Sequence, residues 1–301
     1  MSVTIDSVTD LAPDEIRKEY LAGLSQLLFH AQGLWDFILK NTKDQDVPVT
    51  VGVVGAVLQR VIECGTSITV LADHERFRDV AVLLLNLMEL RVDLQFIALS
   101  PNRESEWLTH TNEWRKPWKL DKQLPEIFAN PKELQAEKDM YHTWSMIKHG
   151  SPAKNVAWRT KSLTGDSVHS SVAFNITCDG TTMILDPGNL TRMGGTLLFA
   201  TGYNIGESCS AAERIVARRG LASTEIKERV SATLKHLHTI IAKECLWKMV
   251  QWARQHDPEF DSICSEEKRL RIEIEQIQRR IQLADNEKGE QNLPDAAKST
   301  I

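Results

Sequence analysis

Between residues 137 and 150 the chain reads "EKDMYHTWSMIKHG", and four chemically able side chains recur there at intervals of four: Glu137, Tyr141, Ser145 and His149. On a helix that spacing places them along one slowly drifting stripe. An imidazole that titrates near neutrality, next to a phenol and a hydroxyl, could serve as an acid or base while Tyr141 or Ser145 orients a substrate. A second reading stands beside it. A histidine in the last turn of a helix is favoured by the helix dipole and by free carbonyls, and Gly150, Ser151 and Pro152 stop the helix without any chemistry.

A second polar row lies upstream, in "DVAVLLLNLMELRVDLQFIALS", where Asn86, Glu89 and Asp93 follow spacings of three and four within the longest apolar run. Arg91 and Gln95 interrupt the same run. Five polar side chains in its middle argue for a buried helix of a soluble protein, not a membrane span. Charges in such a helix need partners, and Gln59, Arg60 and Glu63 on the preceding apolar segment are the expected ones.

The central "NLMELRVDLQFIAL" helix, a Trp-bearing helix after it, and Tyr-x-x-x-Ser-x-x-x-His-Gly together resemble a bacterial family of helical proteins that is classed as a domain of unknown function. The likeness spans residues 77–150, and it implies Glu89, Arg91, Tyr141, Ser145 and His149 as the corresponding positions. More distantly, the chain resembles HEPN domains, helical ribonuclease or nucleotide-binding modules of defence systems with an Arg-x4-6-His motif. Arg103 with His110 and Arg229 with His236 have that spacing, and His149 has no arginine there.

Other chemistries lack their residues. The nearest approach to the paired Glu-x-x-His of a di-iron bundle is a single Asp139-x-x-His142. His236 and His238 point to different faces of a helix and make a poor metal pair. There is no Walker loop, dinucleotide fingerprint or nucleophile elbow, so neither a cofactor nor a metal is expected. A formal charge of -5, from 36 basic and 41 acidic residues, argues against a broad nucleic-acid surface or attachment to anionic lipid, and leaves a local basic patch open. Five scattered cysteines (Cys64, Cys178, Cys209, Cys245 and Cys264) form no C-x-x-C pair and read as reduced thiols. With no basic-then-apolar segment at the N-terminus, the expectation is a cytoplasmic protein.

The elements that must position these rows are mostly helices. Ile16, Tyr20, Leu24, Leu27, Leu28, Ala31, Leu34 and Ile38 predict a first helix over residues 13–39. Two greasy helices follow, and then a fourth near 104–116, stopped by Pro117, with Trp107 and Trp114 on one side as core anchors. Asn130, Pro131 and Glu133 spell a capped start for the helix that carries the opening row. Alternation in "SSVAFNITCDGTTMIL", turned by Asp179-Gly180, predicts a small inserted β-hairpin near 168–187. Helices resume at about 196–219 and 224–256.

The expected architecture is thus mainly α: a multi-helix bundle over 1–257 with that insertion. A coiled-coil helix over 258–284 follows, carried by Ile263, Leu270, Ile274, Ile277 and Ile281, and then a polar, disordered tail over 285–301. These features predict a cytosolic interaction or regulatory protein that forms homo-oligomers and can take a protein partner. The alternative is a HEPN-like ribonuclease or toxin.

Overall fold

Helix α1, Pro13–Thr42, buries Ile16, Tyr20, Leu24, Leu27, Ala31, Leu34 and Ile38, the residues whose three-to-four spacing predicts its inner face. Helices α2 (Pro48–Asp73) and α3 (Phe77–Ile97) follow, then α4 (Asn102–Thr109), α5 (Leu120–Ile127), α6 (Pro131–Lys148), α7 (Gly195–Ala217) and α8 (Thr224–His256). The computed structural model describes residues 12–42, 48–110, 118–148, 174–178, 181–185, 195–221, 223–256 and separate positions over 259–279. Its described residues are mainly helical.

The chain divides into two compact units, one essentially residues 11–245 and one essentially residues 246–301. In the first, α1, α2, α3 and α7 pack against one another as the central bundle, with α4 on α2, and α5 and α6 on α3. Helix α3 is the most buried of them: Val80, Leu84, Leu87, Val92, Leu94 and Ile97 are fully enclosed. Helix α5, which has no counterpart in the sequence reading, is only eight residues long and contains Pro125. The fourth helix ends at Thr109, earlier than expected; Trp107 is half-buried, and Trp114 lies outside the described residues.

Close approach of α7 to its neighbours rests on missing side chains. A Cβ on Gly202 would stand 2.3 Å from Leu237 Cδ1, and one on Gly206 2.6 Å from Leu234 Cδ1, so two leucines of α8 lie in a notch that only glycine leaves open. Gly220, with φ of 75°, takes the left-handed turn that ends α7, and Leu221 N–H donates back to Val216 O. At the other end of α7 a Cβ on Gly195 would fall 1.5 Å from Glu244 Oε2, which places a buried carboxylate against the positive end of the helix. Tyr20 Oη donates to the same carboxylate at 3.0 Å, and Lys243 Nζ pairs with Glu19 at 2.9 Å, joining α8 to α1.

Backbone segments Phe174–Cys178 and Thr181–Leu185, β1 and β2, pair antiparallel with Phe174 opposite Leu185 and Cys178 opposite Thr181. The rest of the region expected to form the insertion, residues 168–187, lies outside the described residues. One helix among the described residues, α2 over Val49–Asp73, is long and apolar enough by composition to cross a membrane, and 44% of its apolar window is buried against the bundle. In the second unit the described positions between Ser262 and Arg279 are helical and exposed. Arg269 there lies 3.8 Å from Glu273, one helical turn on. The tail over 285–301 lies outside the described residues.

Candidate functional site

Helix α3 carries its polar side chains toward α5, α6 and α7. Arg91 is 0% exposed, and its guanidinium is enclosed on every side. Nη2 donates to Glu137 Oε2 of α6 at 2.5 Å, Nε to Asn204 Oδ1 of α7 at 2.8 Å, and Nη1 to Gln95 Oε1 one turn along at 3.1 Å. The rings of Phe128 and Tyr203 lie 5.8 and 5.3 Å from its central carbon, which adds two weak cation-π contacts. Gln95 then turns its amide nitrogen to Glu207 Oε2 at 3.1 Å. A buried cation is tolerable only when paired and hydrogen-bonded, and all three guanidinium nitrogens are.

The outer part of the same face is polar and half-buried. Tyr141 Oη donates to Glu89 Oε1 at 3.3 Å, and Gln123 Nε2 of α5 donates to Asp93 Oδ1 at 2.8 Å. Burial raises the Tyr141 phenol, and the Glu89 carboxylate beside it raises it further, so Tyr141 stays a proton donor at neutral pH. For Tyr203 burial also dominates and pushes the phenol up to about 12, with Arg91 opposing. Neither tyrosine is a base at neutral pH.

The partners of this row differ from those expected. Gln59, Arg60 and Glu63 are exposed on the outward side of α2, while the groups that meet Glu89, Arg91 and Asp93 come from α5, α6 and α7. The apolar face of α2 packs on α3, so its polar face must point away. Of the sequence-derived candidates, Glu89 and Tyr141 meet directly, and Arg91 meets Glu137 of the same four-residue stripe. Ser145 is half-buried, and His149 lies outside the described residues. Asn204, Glu207 and Gln123 were not found from sequence. The trace of the first two is a polar pair three apart inside the otherwise apolar "LLFATGYNIGESC".

A second buried charge sits at the far end of α3. Glu104 of α4 is 1% exposed and accepts from Thr50 Oγ1, with Arg219 Nη2 at 3.7 Å and Arg218 Nη1 at 3.9 Å. Arg218 also donates to Ala98 O and Arg103 to Phe96 O, so two cations satisfy the terminal carbonyls of α3. Arg103 of the Arg-x6-His pair stacks on the Phe96 ring at 3.6 Å and pairs with Glu126 at 2.5 Å. Arg229 of the other pairs with Glu225, one turn back on its own helix. Both arginines thus hold local structure. Among the described residues no three His, Cys, Asp or Glu side chains gather as a metal site.

No family model, no curated protein and no solved structure matches this chain.

Proposed function

We propose that this is a cytosolic helical interaction or regulatory protein that self-associates through its C-terminal helix. The observation that carries the reading is Arg91: the group best able to grip a substrate is 0% exposed, with its nitrogens bound to Glu137, Asn204 and Gln95. Its charge is spent on holding three helices together. In the second unit Ile272 and Ile277 are 49% and 54% exposed, as apolar residues of an unpartnered helix would be. Residues 258–284 form a short coiled coil in this reading, and residues 168–187 form a β-hairpin inserted between α6 and α7. Burial pushes the Cys64 thiol up to about 11 and the Cys209 thiol up to about 12, which suits inert, reduced cysteines.

About three heptads are marginal alone, so the helix pairs with help from the body it extends. Truncation after Asp261 tests this by light scattering. The truncated protein is expected to fall to the monomer mass, and an unchanged mass overturns self-association through this segment.

The half-buried Tyr141–Glu89 hydrogen bond, on the stripe that leads to Ser145 and His149, supports a second reading. In it the chain is a HEPN-like ribonuclease or toxin, related to the helical bacterial family of unknown function. There, His149→Ala abolishes RNA cleavage or toxicity with little change in melting temperature. A variant that loses about 1 kcal/mol of stability and no activity marks His149 as a helix cap.

A further inference from the structure

Helices α5 and α6 are attached to the bundle in an unusual way. Over residues 120–142 only Gln123, Leu124 and Glu137 are buried, and two of these three are polar. Helix α3 beneath them is enclosed mainly by leucine, valine and isoleucine. Polar bonds hold the pair to its neighbours: Glu137 to Arg91, Tyr141 to Glu89 and Gln123 to Asp93 on α3, and Glu126 to Arg103 on α4. Over residues 120–142 the apolar burial is small, which gives that stretch little hydrophobic hold. Burial of an ion pair adds less than its geometry suggests, because desolvating both charges offsets much of their attraction. When the layer lifts, Arg91, Glu137, Asp93 and Glu89 all recover water, so the open state is cheap compared with opening α1, α2 or α7.

We infer that α5 and the first part of α6, residues 120–142, form a lid that opens as a unit, and that the buried Arg91–Glu137 pair is the clasp that holds it shut. Opening uncovers a hydrogen-bonding row on two adjacent helices, Arg91 and Gln95 of α3 with Asn204 and Glu207 of α7. Phe128 leaves with the lid, while Tyr203 stays on α7 beside the guanidinium. The lid is independent of self-association through the C-terminal helix.

Hydrogen exchange read by mass spectrometry on the full chain tests the clasp. Amides of Leu120–Ile127 and of the first part of α6 are expected to exchange at least about tenfold faster than those of α1, α3 and α7. Glu137→Gln keeps the shape and removes the charge, so it should speed exchange in α5 and the first part of α6 about tenfold further and leave α1 and α7 unchanged. Equal protection of the first part of α6 and of α3 in the native protein overturns the lid. So does a Glu137→Gln protein that loses protection everywhere or fails to fold, since the pair would then be a strut of the whole core. The paired variant Arg91→Met with Glu137→Met removes the charged clasp and gives the layer an apolar hold; it should slow exchange of the lid below the native rate. Unchanged lid exchange in that variant overturns the role of the clasp.

Discussion

Arg91 and Glu89 stand two residues apart and differ in what their loss should do. Glu137→Leu leaves the enclosed guanidinium without an anion, which is expected to cost about 3 kcal/mol or more of the free energy that keeps α5 and α6 closed, read from their hydrogen exchange. Glu89→Leu removes the bond from a half-buried tyrosine and should cost about 1 kcal/mol. Equal losses would show that Arg91 does not depend on Glu137. Polar spacing in the sequence shows which side chains on α3 need partners. It cannot show who supplies them, because Glu137 is 46 residues away and Asn204 is 113, and pairing over such distances is fixed by packing. Tyr203 and Cys209 add a pH dependence. Both groups are raised in the folded chain to about 12, so the folded state keeps protons that the unfolded state releases. Their contribution is complete below the unfolded values near 9 and 10, and is lost as pH rises toward about 12. Denaturant midpoints should therefore fall steadily above about pH 9, with a shallower fall in Tyr203→Phe; identical slopes would remove Tyr203 from the account.

At the scale of elements, periodicity found every helix with a broad apolar face. The expected spans 13–39, 196–219 and 224–256 compare with Pro13–Thr42, Gly195–Ala217 and Thr224–His256. Asn130 caps α6 as its position before Pro131 suggests, accepting from Lys132 N–H at 2.9 Å. Helix α5 escaped because Leu120, Leu124 and Ile127 repeat at helical spacing over only eight residues, too short a run to tell from chance, and Pro125 inside it argues against a helix. Glycines were equally silent. Nothing in the local sequence says that Gly202 and Gly206 face Leu237 and Leu234 instead of solvent. Gly202→Ala should cost about 1 to 3 kcal/mol by forcing Leu237 aside, although alanine is the better helix former. Gly195→Ala should cost more, since the displaced group is the Glu244 carboxylate that Tyr20 also holds. Melting temperatures of the two variants check the order, and a stabilised Gly202→Ala would mean that α8 sits farther from α7.

The whole first unit is closed by its most distant parts. Tyr20 meets Glu244 across 224 residues, and so does Glu19 with Lys243, while Leu237 packs on Gly23 of the same first helix. A chain made from its N-terminus inward has no α8 to offer α1 until nearly the whole unit has left the ribosome. Until then the Gly23 notch of α1 stands unfilled and Tyr20 lacks its carboxylate. Closing so long a loop is entropically slow, and synthesis adds about 5 to 20 residues each second, so an incomplete bundle persists for many seconds with apolar surface open to other chains. This fold therefore depends on its surroundings during birth more than after it: nascent chains stopped before Leu237 should be captured by holdase chaperones, and the finished protein should not.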